Sequence, residues 1–121
     1  MIKIDYTSSK AIYEQIYDEI TRLILLKLMK PDEKLQSVRE LAALIKINPN
    51  TIQKAYKLLE NNNYIYSVKG RGNFVKSSDD LRNLYIKKIY EKLVQSIKPL
   101  KELGLNNDDV MDMVNKILIS N

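Results

Sequence analysis

Between Leu35 and Tyr56 the chain ends one helix and starts another within three residues, and that spacing constrains the fold more than any other feature. Ser37 followed by Glu40 three residues on is a capping box, in which hydroxyl and carboxylate each satisfy an orphan amide at a helix start. Val38, Leu41, Ala42 and Ile45 then recur at helical spacing, so a short helix begins at Val38. Asn48-Pro49 ends it, because the residue before a proline is pushed out of helical geometry. The same pair opens the next helix, with Asn48 as its cap and Pro49 in the first turn, where a missing N–H costs nothing. Ile52, Ala55, Tyr56, Leu58 and Leu59 give this helix an inward face, and Asn50, Thr51, Gln53, Lys54 and Lys57 form its other side. Asn61-Asn62-Asn63 ends it, since asparagine tolerates the left-handed conformation of a helix C-terminus.

The flanking segments extend the pattern. After an extended start over Ile2 to Tyr6, Ser8 or Ser9 is the expected cap of an amphipathic helix from about Lys10 to Lys27, with Ile12, Ile16, Ile20, Leu23 and Ile24 on one side. Pro31-Asp32-Glu33 signals a turn, and Lys34-Leu35 is long enough for one rung of strand. Tyr64 to Val68 and Asn73 to Lys76 are β-prone runs around Lys69-Gly70-Arg71-Gly72, which predicts a hairpin with a basic, glycine-containing tip. From Asp79 to about Leu103 a longer helix carries Leu81, Leu84, Tyr85, Ile89, Leu93, Ile97 and Leu100 on a broad stripe, with Pro99 expected to kink or end it. Gly104 allows a turn, and Asn106 with Asp109 caps a last helix bearing Val110, Met113, Val114, Ile117 and Leu118. The predicted fold is mainly α with a small β-hairpin wing: a winged helix-turn-helix over residues 1–76, followed by a two-helix tail over 77–121.

Composition narrows the function. A chain of 121 residues fits one compact domain, or a small domain with an appended helical piece. With no cysteine and no histidine it lacks disulfides, thiolate nucleophiles, Cys/His zinc sites and every histidine-based triad, and no carboxylate pair or phosphate-binding loop stands in their place. An enzyme is not expected, and neither a cofactor nor a metal. Asp108, Asp109 and Asp112 read as acids at a helix N-terminus, where the helix dipole favours them. Apolar runs such as Leu23 to Leu26 are too short to span a bilayer and the start is unlike a signal peptide, so a cytoplasmic protein without a membrane partner is expected.

Charge is unevenly placed. Residues 1–76 hold 13 basic and 8 acidic side chains, whereas residues 77–121 hold seven of each. Gln36 to Lys76 alone carries Arg39, Lys46, Lys54, Lys57, Lys69, Arg71 and Lys76 against Glu40 and Glu60. A helix that enters the major groove needs an apolar side to dock and a polar side whose amides and cations read base edges, which Asn50 to Lys57 supply. The start of that helix is expected to offer free backbone amides to a phosphate. Arg39 stands beside it, and the tip over Lys69, Gly70 and Arg71 brings two cations close to phosphates or into the minor groove. Blander roles compete. Arg39 can pair with Glu40 or Glu60, Ser37 and Asn48 are caps first, Lys54 and Lys57 can be solvated lysines, and Tyr56 belongs to the core. Tyr13 and Tyr17, which flank the first helix's stripe, are candidates for a dimer or inter-domain contact.

At these residues the chain resembles the GntR family of bacterial transcription regulators. The resemblance runs through Leu35-Gln36-Ser37-Val38-Arg39-Glu40-Leu41-Ala42, then Ile47-Asn48-Pro49-Asn50-Thr51-Ile52-Gln53-Lys54-Ala55-Tyr56, then Leu58-Leu59-Glu60 and Gly70-Arg71-Gly72-Asn73-Phe74-Val75. The Asn-Pro-Asn-Thr turn and the short tail are similar to the YtrA-type subfamily, whose C-terminal helices dimerise the protein. Carried over by position, the resemblance implies DNA contacts from Arg39, Asn48, Asn50, Thr51, Gln53, Lys69, Gly70 and Arg71. Gln36 stands where the family usually has proline, and Asn63 where a glycine is common.

The expected protein is a homodimeric repressor that binds double-stranded DNA at a two-fold symmetric operator. One domain of this size contacts too few phosphates alone, so paired half-sites are the expected solution. Leu84, Ile89, Leu93, Ile97, Leu100, Val110, Met113, Val114 and Ile117 of the tail are the candidate dimer contacts. A small-molecule effector, which the tail is too small to enclose, would sit between helices at the dimer interface or beside the linker near Ser77 to Asp80. Two other readings compete: a winged-helix module that holds a protein partner, and a non-specific architectural DNA binder. Charge concentrated on the third helix and wing argues against the first, and the amides and hydroxyl of Asn50, Thr51 and Gln53 against the second.

Overall fold

The computed structural model describes residues 2–76 and 79–120. In chain order the elements are α1 (Ile12–Leu25), α2 (Val38–Ile45), α3 (Pro49–Asn61), β1 (Ile65–Val68), β2 (Gly72–Val75), α4 (Asp79–Glu102) and α5 (Asn107–Ser120). The chain divides into two compact units, Met1–Leu81 and Arg82–Asn121.

In the first unit, α1 and α2 lean on α3, and the hairpin follows. The α1 helix starts two residues later than its sequence predicts, and neither Ser8 nor Ser9 caps it. Its N-cap is Ala11, which offers no side-chain acceptor. The Ser8 hydroxyl instead accepts from the Lys10 N–H at 3.0 Å. Gln15 ties down the entering chain, accepting from the Asp5 N–H at 2.9 Å and donating to the Asp5 and Lys10 carbonyls at 3.0 Å each. The glutamine thus anchors the chain that enters α1, while the helix start itself has no side-chain cap. Beyond the helix, Lys27 takes a left-handed φ of 59°.

The other local signals match the chain's course. Ser37 and Glu40 form the reciprocal capping box of α2, at 3.1 Å and 3.0 Å. Lys46 turns the chain with a left-handed φ of 56°, Asn48 caps α3, and Asn63 takes the left-handed position after it at 64°. β1 and β2 pair antiparallel from Ile65 with Val75 to Val68 with Gly72. The single rung expected at Lys34-Leu35 is present, with Lys34 bridging Phe74.

The core of this unit is one cluster in which Ile16, Ile20 and Ile24 of α1 meet Leu41 and Ala42 of α2, Ile52, Ala55, Tyr56 and Leu59 of α3, and Ile65 and Val75 of the hairpin. Leu35 and Tyr64 close it at the loops, and Leu81 joins it from the first turns of α4, which is why the unit runs to that residue. Tyr17 meets Tyr64 edge to face, with ring centroids 6.1 Å apart.

In the second unit, Pro99 neither ends α4 at once nor removes its last turn, since the helix continues to Glu102. Gly104, at φ 93°, makes the turn. Asn106 and Asp109 cap α5 reciprocally: the Asp109 N–H donates to Asn106 Oδ1 at 2.8 Å and the Asn106 N–H to Asp109 Oδ2 at 3.1 Å. Among the described residues, no helix is long and apolar enough to cross a membrane.

Candidate nucleic-acid interface

The α3 helix is fixed at both ends of its buried face. Ile52, Ala55, Tyr56 and Leu59 are buried, Thr51 and Leu58 are half-buried, and Asn50, Gln53, Lys54 and Lys57 are exposed. The Tyr56 hydroxyl donates to the Gln36 carbonyl at 2.7 Å, which ties α3 to the chain just before the α2 cap. Burial, followed by the charge of Glu40, pushes this phenol up to about 12. A tyrosine on the apolar stripe thus acts as a core residue with a positioning bond, and it leaves the polar side of α3 unencumbered.

The start of α3 corrects one expectation. Pro49 has no N–H, the Asn50 N–H donates to Asn48 Oδ1 at 2.8 Å, and the Thr51 and Ile52 N–H groups donate to the Asn48 carbonyl at 3.0 and 3.3 Å. The cap that builds the helix consumes the amides, so its N-terminus offers no free backbone donor to a phosphate. What α3 presents is side chains: Asn50 and Thr51 in the first turn, then Gln53, Lys54 and Lys57.

Around this helix lie the cations. Arg39, in the first turn of α2, is exposed and makes no ion pair among the described residues. Its two expected rivals are engaged elsewhere. Glu40 accepts from the Ser37 N–H, and Glu60 accepts from the Ser67 hydroxyl. The bonds from the Ser37 backbone and side chain, followed by the charge of Lys34, hold the Glu40 carboxyl below its usual range. The Lys54 ammonium sits 4.0 Å from the centroid of the Tyr13 ring, a cation–π contact that ties the rim of α3 to α1. That gives Tyr13 a partner inside its own unit.

The wing places Lys69 and Arg71 at an exposed tip. The Arg71 N–H donates to the Val68 carbonyl at 2.9 Å, and Gly70 and Gly72 take φ of 76° and 119°, which side chains rarely adopt. Behind the tip, Tyr66 stacks on Phe74 with centroids 5.6 Å apart, and its hydroxyl donates to Asp32 Oδ1 at 2.7 Å. That bond raises the Tyr66 phenol above its ordinary value. Arg39, Asn50, Gln53, Lys54, Lys57, Lys69 and Arg71 therefore all stand exposed on the first unit. Ser37 and Asn48 spend their side chains as caps.

Of the tail residues, Leu84, Ile89, Leu93, Met113 and Ile117 are exposed, Ile97, Leu100 and Val114 are half-buried, and Val110 is buried in the single chain. Asp109 serves as a capping residue. Ser77 and Ser78, part of the linker named for an effector, lie outside the described residues. Sequence reasoning missed the Tyr13 and Lys54 pair and the place of Lys34 beside the wing. Only the strand rung at Lys34 left a local trace.

Comparison with known proteins assigns this arrangement. A family model for bacterial regulatory proteins of the gntR family matches residues 12–75. The HTH-type transcriptional repressor YtrA of Bacillus subtilis is 52% identical over 75 residues, which are 62% of this chain; the chain spans 58% of that repressor's length. YtrA from Sulfolobus acidocaldarius, a GntR-family transcription factor, superposes with a TM-score of 0.63 at 42% identity, over 77% of this chain and 97% of the other. The DNA-binding domain of AraR, solved in complex with operator ORE1, superposes with a TM-score of 0.53 at 29% identity, over 62% and 92%. The winged helix-turn-helix read from Ser37, Asn48-Pro49 and the glycine-containing tip is thus that of known regulators, and the chain belongs to the gntR family of bacterial regulatory proteins.

Proposed function

We propose that this chain is a cytoplasmic transcription repressor that binds a two-fold symmetric DNA operator as a homodimer, reading bases with α3 and holding the backbone with the wing. The observation that carries the reading is α3 itself. Tyr56 and the Asn48 cap fix its buried side, while Asn50, Gln53, Lys54 and Lys57 are left to a groove. Amides bond to adenine edges, lysines to guanine edges or phosphates. Arg39, Lys69 and Arg71 stand ready for the backbone. Similarity to the YtrA repressor, and to an AraR domain bound to its operator, supports the same reading. Exposed Leu84, Ile89, Leu93, Met113 and Ile117 support a tail that pairs with a second copy. A small molecule seated between paired tails would act on the separation of the two recognition helices.

Selection of bound sequences from a random duplex pool by the full chain, at near-physiological salt, tests this. A two-fold symmetric consensus is expected, and Gln53→Ala should blur it at positions read by that amide. Recovery of DNA without a consensus would overturn sequence-specific reading, and no recovery would overturn DNA binding.

A further inference from the structure

Lys34 lies outside both the helix-turn-helix and the hairpin, yet the backbone carries it to the wing. The Asp32 N–H donates to the Val75 carbonyl at 2.7 Å, the Val75 N–H to the Glu33 carbonyl at 2.9 Å, and the Leu35 N–H to the Asn73 carbonyl at 2.9 Å. Lys34 itself bridges Phe74, so residues 32–35 run antiparallel along β2 as an added edge. Successive side chains on such an edge take opposite faces. Leu35 enters the core, and Lys34 is turned out to solvent.

Its stem crosses the tip of the wing. A Cβ built on Gly72 would stand 3.0 Å from Lys34 Cε and 3.9 Å from Nζ. Gly72 takes φ of 119°, which side chains rarely adopt, and the end of the lysine stem lies in the open space beside it. Lys34 is also close enough to Glu40 for its charge to help hold that carboxyl ionised. Among the described residues it forms no ion pair. Lys34 is thus a cation beside the wing, one of the places from which the backbone of a duplex would be held. Its stem lies against main chain and gives up less freedom on binding than that of a free lysine.

We infer that Lys34 is a DNA-phosphate contact, carried to the wing by its pairing with β2 and lying against Gly72 beside the tip. A lysine ammonium is a compact, strongly hydrated point charge, suited to a phosphate rather than to bidentate reading of a base. The inference rests on the DNA-binding reading above, and its test separates the two.

The full chain is titrated against its selected duplex and a scrambled duplex over a range of salt concentrations. Lys34→Met keeps a stem over Gly72 and removes the charge; Lys34→Gln is a second neutral variant, and melting curves identify which variants are folded. Each folded neutral variant should bind both duplexes more weakly by a similar factor, with the slope of log affinity on log salt reduced by about one. Lys34→Arg should restore the wild-type slope. A wild-type slope in a folded neutral variant overturns the inference, as does a loss confined to the selected duplex. If the wild-type chain binds neither duplex, the DNA-binding reading fails before any variant is compared.

Discussion

The two units handle their apolar side chains in opposite ways. In Met1–Leu81 three helices and a hairpin converge, and Ile16, Ile52, Ala55 and Leu59 are sealed completely. In Arg82–Asn121, Val110 is the one buried hydrophobic among the described residues, while Leu84, Ile89, Leu93, Met113, Ile117 and Leu118 stand in solvent. Helix signals are as clear in the second unit as in the first, down to the reciprocal cap of Asn106 and Asp109. Local sequence makes a helix, and long-range partners make a core. The first unit has its partners within the chain, and the exposed stripe of the second has none there, which is why the proposed homodimer assigns it to a second copy.

That contrast can be broken in four ways. Leu93→Asp places a charge in the exposed stripe of α4. It should yield a monomer by sedimentation and lower operator affinity by about a thousandfold, towards non-specific binding. A variant that still sediments as a dimer would remove α4 from the interface. Ile16→Ala, in the sealed core, should cost about 2–5 kcal/mol in denaturant titration, equally at every protein concentration. A loss that varies with concentration would mean that the first unit also depends on a partner.

Tyr56→Phe removes the bond to the Gln36 carbonyl and should cost about 1 kcal/mol near neutral pH. The folded phenol is pushed up to about 12 from an ordinary 10, so its contribution is fully present below pH 10 and is lost as pH rises through 12. The gap between the urea midpoints of the two proteins should therefore be full at pH 8 and close as pH rises from 10 towards 12. The smallest effect has the opposite sign. Thr21 is buried and its hydroxyl has no hydrogen-bond partner among the described residues, so Thr21→Val should raise stability by about 1 kcal/mol in calorimetry.

Signals that close within a few residues were legible in the sequence. Ser37 with Glu40, Asn48 with Pro49, Asn63 after α3 and Asn106 with Asp109 each complete their own chemistry in one turn of chain. The start of α1 was not legible, because no side chain caps it and Gln15 instead holds the entering chain by reaching back ten residues to Asp5. Asn48 is legible as a cap, but its effect on the amides of α3 follows only from the bonds that its carbonyl accepts from Thr51 and Ile52. Among the candidate DNA contacts, exposure at Arg39, Gln53, Lys57 and Lys69 followed from helical and hairpin periodicity. The contacts of Lys54 with Tyr13 and of Lys34 with Gly72 cross 38 to 41 positions of chain, and no spacing rule reaches that far.

The Tyr17 and Tyr64 pair has an optical consequence. The chain contains no tryptophan, so its near-ultraviolet absorption is carried mainly by tyrosine. Two phenol rings held 6.1 Å apart at 80° couple their electronic transitions and lend each other circular dichroism. Tyr85 and Tyr90, the tyrosines of α4, have no ring beside them among the described residues and contribute less. The near-ultraviolet spectrum is therefore a built-in gauge of the winged unit, and amide circular dichroism, dominated by helix, follows both units at once.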